Sequence, residues 1–197
     1  MAGERVFAVM IEPPLSVANG LLEATRRFFA GIDGPEGAVR FLPPERYAIP
    51  LVVAPVDPER SPDVVAMALR AGVADVAEFA VQLAPLAPVE GAPGVVGSAL
   101  RLQEADLGRV VAALAAAFEA RGLEGAVVPP PVLPVALVAE GAARESCALA
   151  AADARDVPLA GWLVSALVAA EGNPDDAPGT WLLRRLRSQA LRRLGAR

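Results

Sequence analysis

Apolar residues in this chain fall into short runs and helical stripes, punctuated by proline and glycine. Residues 6–11 form a continuous apolar run stopped by Glu12-Pro13-Pro14, which predicts a buried strand. Over residues 16–32, Val17, Leu21, Leu22, Thr25, Phe28, Phe29 and Ile32 share one stripe, while Asn19, Glu23, Arg26 and Arg27 share another. That spacing predicts an amphipathic helix, which Gly31 and Gly34 end. Residues 39–42 and 47–55 read as extended pieces around Pro43-Pro44. Ser61-Pro62-Asp63 has the chemistry of a helix start: a capping hydroxyl, a proline at the first position and an acid in the first turn. The helix that follows turns Val65, Leu69, Val73 and Val76 inward. Residues 78–83 then alternate polar and apolar, as a half-exposed strand does.

A loop rich in Pro, Ala and Gly, residues 84–94, marks the boundary between two lobes, about 1–90 and 91–190. After it the order repeats. Residues 95–103 read as a strand. Residues 106–121 read as a helix with Leu107, Val110, Val111, Leu114 and Phe118 on one face and Gly122 as its stop. Pro129-Pro130-Pro131 leads into an extended run at 132–139. An Ala-rich helix (144–155) and a strand (161–170) follow, and residues from Trp181 onward read as either strand or helix.

The halves share a local pattern, each time after a proline-rich turn: Ala48-Ile49-Pro50-Leu51 in the first and Val132-Leu133-Pro134-Val135 in the second. A strand proline removes a ladder donor and is confined to edges or bulges. Its recurrence at matching places suggests a common origin for the two strands.

Composition removes whole classes of chemistry. The 197 residues hold no histidine, no lysine and one cysteine, Cys147. Imidazole bases, His-ligated metals, the P-loop lysine, Schiff bases and internal disulfides are therefore excluded. No metal or other cofactor is expected. Arginine in place of every lysine, with abundant alanine, fits a GC-rich genome. The longest apolar stretches, 125–139 and 157–170, are too short to span a bilayer. The N-terminal run lacks the length and cleavage site of a signal peptide. A cytoplasmic protein with no membrane partner is expected.

The order of elements resembles the two-histidine (2H) phosphoesterases, the group of RNA 2',3'-cyclic phosphodiesterases also known as 2'-5' RNA ligases. Arg5-Val6-Phe7-Ala8-Val9 with Pro13-Pro14 looks like that family's opening strand, and Arg40-Phe41-Leu42-Pro43-Pro44-Glu45 like the approach to its first motif. Residues 95–102, the helix closed by Gly122, and Pro130-Pro131 resemble the approach to its second motif; residues 162–170 and Trp181 resemble its closing pair. The resemblance implies an α+β fold of two pseudo-symmetric lobes, each an antiparallel sheet with outer helices, around a central cleft.

The family's His-x-Thr/Ser motifs map onto Ala48 and Pro50, and onto Val132 and Pro134. The basic residue that often follows the second motif maps near Leu137. Residues two apart on a strand share a face, so each pair presents one surface. Methyl, isopropyl and pyrrolidine groups neither move protons nor donate hydrogen bonds to an oxyanion. The resemblance therefore implies a degenerate, non-catalytic relative whose apolar cleft is either packed shut or binds an uncharged or partly apolar small molecule or a protein partner.

Other readings stay open. Arg40, Arg46 and Arg101 are candidate anion-binding residues facing the cleft. One alternative is an active phosphodiesterase-like enzyme that uses arginines and carboxylates in place of imidazoles. Another is an RNA-binding protein without cleavage, against which the overall acidity argues. Glu12, Glu45, Asp57, Glu59, Asp175 and Asp176 show no pairing in their spacing and read as solvated turn residues. Gly31-x-x-Gly34-x-x-Gly37 and Gly91-x-x-Gly94-x-x-Gly97 lack dinucleotide-loop spacing and read as flexible loops. Cys147 reads as an inert buried thiol, and Ser98 has no imidazole to activate it. Residues 181–197 carry six arginines and no acid, while the whole chain carries −5, so the rest is strongly acidic. Over this end Leu183, Leu186, Ala190, Leu191 and Leu194 recur at helical spacing. This arginine-rich tail, 184–197, either touches RNA or an anionic surface, or docks on the acidic body of its own domain or of a neighbour; with no surrounding basic patch, docking is the favoured reading.

Overall fold

The computed structural model describes residues 5–30, 38–55, 62–92, 94–101, 104–123, 126–139, 145, 160–172 and 184–193. In chain order its elements are β1 (Val6–Ile11), α1 (Leu15–Ala30), β2 (Val39–Phe41), a 3-10 turn (Pro44–Arg46), β3 (Ile49–Pro55), α2 (Asp63–Gly72), β4 (Phe79–Leu83), β5 (Ala87–Pro88), β6 (Val95–Arg101), α3 (Glu104–Glu119), β7 (Val132–Val138), β8 (Ala160–Val164), β9 (Ala166–Gly172) and β10 (Arg184–Ala190). The strands form two sheets. One runs β10-β9-β1-β3 and the other β2-β7-β6-β4-β8, with β5 beside β6. Every strand pair is antiparallel. The fold is the expected α+β class. Each sheet draws strands from both halves of the sequence, so the lobes exchange strands across the expected boundary.

Burial follows the pleat. On the first sheet Phe7, Val9 and Ile11 face a core shared with Leu21 and Phe29 of α1, Val65 and Leu69 of α2, and Leu114 and Phe118 of α3. Fully burying one such side chain contributes about 1.5–3 kcal/mol. The opposite face of the same sheet is apolar as well: Met10, Ala48, Val168 and Ala170 form one cluster, and Ala8 and Val53 another. An antiparallel sheet with one wet face alternates apolar and polar residues; a sheet apolar on both faces is covered on both. That accounts for the unbroken apolar run at 6–11. On the second sheet β4 does alternate, with Phe79, Val81 and Leu83 buried and Ala80 and Gln82 exposed.

Helix α2 begins at Asp63, with Pro62 in the capping position and no side-chain cap; Ser61 lies outside the described residues. Helix α3 ends as Gly122 adopts φ +66° and the Leu123 N–H donates to the Phe118 carbonyl. The loop expected over 84–94 contains the short strand β5.

The single strand expected at 161–170 is two strands. The chain breaks at Ser165, leaving β8 at the edge of the second sheet and starting β9 inside the first. Apart from Ser165 the apolar run continues through the break, so the switch of sheet has no local signature. Most of the helix expected at 144–155, with Cys147, lies outside the described residues.

The arginine-rich C-terminus is the edge strand β10, despite its helical spacing of leucines. Arg184 stands opposite Glu171 of β9 and donates to its carboxylate, while Arg5 donates to the other oxygen at 2.7 Å. Glu171 is only 7% exposed, so it is a buried acid satisfied by two guanidinium groups. Arg185 donates to Glu12 at 2.6 Å. Over its described part, 184–193, the tail docks on its own chain, through β9 and the carboxylates of Glu171 and Glu12.

Tyr47, the sole tyrosine, sits in the core with a hydroxyl that has no hydrogen-bond partner among the described residues. Burial pushes its pKa up to about 12, against a smaller opposing pull from Arg26. The native state thus keeps its proton while an unfolded chain loses it at about pH 10. This contribution to stability is constant below that pH and falls as pH rises towards 12. Near-ultraviolet absorbance should show no tyrosinate in the native protein at about pH 10. Tyr47→Phe should remove this pH dependence at little cost in stability. A native phenolate titrating at the unfolded value would show that the hydroxyl is hydrated.

Candidate functional site

Two prolines organise the facing strands. In β3, Pro50 pairs with Met10 and Val52 with Val9, so Leu51 is an extra, bulged residue. In β7, Pro134 pairs with Gly97 and Ala136 with Val96, so Val135 is the bulged one. Each proline therefore stands immediately before a bulge, where the missing ladder donor is tolerated. The same device at the same place in both strands gives the shared sequence pattern a structural counterpart.

Pro50, Val132 and Pro134 come together at one hollow of about 200 Å³. Its other walls are Pro129 and Pro130 on the approach to β7 and residues 89–92 of the β5–β6 turn. Ala48 is not part of the hollow. It is 3% exposed and packs on Met10, Val168 and Ala170, one register step along the same sheet face. Three of the four motif positions thus meet at an opening, and the fourth is covered. Among the described residues, no lining side chain carries a hydroxyl, an imidazole or a guanidinium group; Glu90, on the turn, is the one ionisable group.

The arginines stand elsewhere in the fold. Arg40 is exposed on β2 opposite Leu137. Arg46 is half-buried at the end of the 3-10 turn, two residues before Ala48. Neither lines the hollow. Arg101 ends β6 opposite Gln82 of β4, on the side of that strand away from β7. Among the acids, Glu12 is taken up by Arg185 and Glu45 is exposed on the 3-10 turn; Asp57, Glu59, Asp175 and Asp176 lie outside the described residues. Ser98 is buried and donates its hydroxyl to the Ala84 carbonyl, a structural bond. Among the described residues, no three of His, Cys, Asp and Glu are placed to hold a metal ion, and no helix is long and apolar enough to cross a membrane.

The glycines at 91–97 do more than loosen a loop. Gly91 and Gly94 adopt φ +73° and +77°, which shape the turn that walls the hollow. Gly97 lies within β6, and a Cβ there would meet the Leu133 carbonyl oxygen at 2.7 Å and a Val132 methyl at 2.8 Å. Its lack of a side chain lets β6 and β7 approach closely beneath the hollow. The repeat of glycines was the visible signal; the turn over the cleft comes from the pairing of β5 with β6, which local sequence does not encode. Gly31, Gly34 and Gly37 lie outside the described residues.

No protein-family model matches this chain, and no curated protein does either. Solved structures do. LigT of E. coli in complex with 3'-AMP superposes with a TM-score of 0.65 at 15% identity, covering 96% of this chain and 99% of LigT. TT0787 of Thermus thermophilus gives 0.64 at 19% identity, over 95% and 98%. A phosphoesterase gives 0.63 at 16% identity, over 96% and 99%. The chain has the LigT-like, two-lobed phosphoesterase fold along nearly its whole length.

Gly97→Ala tests the close approach. The added methyl meets backbone, which cannot swing away, so a loss of about 1–3 kcal/mol is expected in denaturant unfolding. An unchanged midpoint would mean that β6 and β7 are not packed as described.

Proposed function

We propose that this protein uses a phosphoesterase fold for binding and not for catalysis, taking a small uncharged, apolar ligand into the hollow between β3 and β7. The observation that carries the proposal is the lining: Pro50, Val132 and Pro134 with two further prolines, and, among the described residues, Glu90 as the lone titratable group with no second one beside it to form an acid–base pair. A phosphate driven against that surface loses hydration without replacement hydrogen bonds, at a cost of several kcal/mol. Glu90 and the net charge of −5 add repulsion for anions. An apolar ring meets the opposite balance. A dry cavity of roughly 150 Å³ is enough to take benzene, so this one suits a single small ring system. LigT has been crystallised with 3'-AMP; in this chain the corresponding fold would select against nucleotides. A cytoplasmic location belongs to the same proposal.

Indole, followed by NMR at the Val132 methyls, is expected to give saturable shifts that Val132→Trp abolishes by filling the space. The protein should not hydrolyse 2',3'-cyclic AMP. Ala48→His with Val132→His should not confer turnover, because Pro50 and Pro134 still supply no hydroxyl. Hydrolysis by the native chain that Arg46→Ala or Arg101→Ala removes would replace this reading with an enzymatic one.

A further inference from the structure

A second and larger hollow, about 510 Å³, lies on the far side of the first sheet from the cleft and shares no lining residue with it. Its origin is the crossing of α2 and α3. At Gly72 the helices touch: a Cβ there would lie 2.9 Å from a Leu114 methyl and 3.1 Å from the Leu114 Cα. Beyond that contact α2 stops, the chain turns away through residues 73–78, and the space between this turn and the first half of α3 stays open. Its volume falls within the range of small-molecule sites.

The lining is divided by chemistry. Val76, Phe79 and Val110 supply an apolar floor. On one side stand Asp75 and Glu78, just past the C-terminal end of α2; on the other stands Arg109, in the first half of α3. None of the three forms an ion pair among the described residues. The C-terminal end of α2 adds partial negative charge on the side of the two carboxylates. Two poles of opposite sign across an apolar floor match a ligand with the same distribution.

From this juxtaposition we infer that the hollow between α2 and α3 binds a small zwitterion with an apolar body, of the kind formed by an apolar amino acid or dipeptide. Its ammonium group lies towards Asp75 and Glu78, its carboxylate towards Arg109, and its side chain on Val76, Phe79 and Val110. The site is independent of the cleft and of the function proposed for it.

The test uses L-phenylalanine and leucyl-leucine as probes, titrated by calorimetry and by NMR at the Val110 methyls. At least one should bind saturably. N-acetylphenylalanine, which lacks the ammonium group, and phenylalaninamide, which lacks the carboxylate, should bind about tenfold or more weakly. Arg109→Ala should weaken the zwitterion and leave phenylalaninamide unaffected; Asp75→Asn with Glu78→Gln should weaken it and leave N-acetylphenylalanine unaffected. Val132→Trp, which fills the cleft, should change nothing. Failure of both probes to bind, equal binding of the blocked ligands, or loss of binding in Val132→Trp would each overturn the assignment.

Discussion

A proline inside a strand cannot donate to the ladder, and this chain meets that constraint twice in the same way. Pro50 and Pro134 each precede one bulged residue, Leu51 and Val135. The bulge absorbs the missing hydrogen bond and keeps the proline ring on the face that looks into the cleft. Everything proposed for the cleft depends on this. A serine or threonine at either position would present a hydroxyl to the gap; proline presents an apolar ring and no donor.

The LigT-like scaffold sets two strands against each other across a gap, and what fills the gap is decided by a few side chains on those strands. Here the covered part of the gap, around Ala48 and Met10, behaves as core, while the open part, around Pro50 and Val132, behaves as an apolar recess. The core on the other face of the sheet is continuous through α1, α2 and α3, so changes in the cleft leave most of the stabilising burial untouched.

Much of this was legible in the sequence because the signals were local. The run at 6–11 is a strand with the bounds read from its composition, β4 shows its alternation directly, and the two proline patterns marked the facing strands. What was not legible was long-range. Residues 161–170 look like one strand because the apolar run continues on both sides of Ser165. Leu183, Leu186, Ala190, Leu191 and Leu194 recur at helical spacing, but over 184–190 pairing with β9 and the Arg184–Glu171 contact decide for a strand. The hollow between α2 and α3 had no sequence signal, since Asp75, Glu78 and Arg109 become neighbours only through the crossing at Gly72.

The break at Ser165 has a consequence for how the molecule comes apart. One residue joins the edge of the second sheet to the interior of the first, and its carbonyl also accepts the Leu191 N–H just beyond β10. The chain also crosses between the sheets from β1 to β2, from β2 to β3 and from β3 to β4, so the described elements tie the two sheets together at four places. Neither sheet can be excised by a cut at one point, and loss of order in one propagates to the other, so the protein should melt as one cooperative unit despite its bilobal outline.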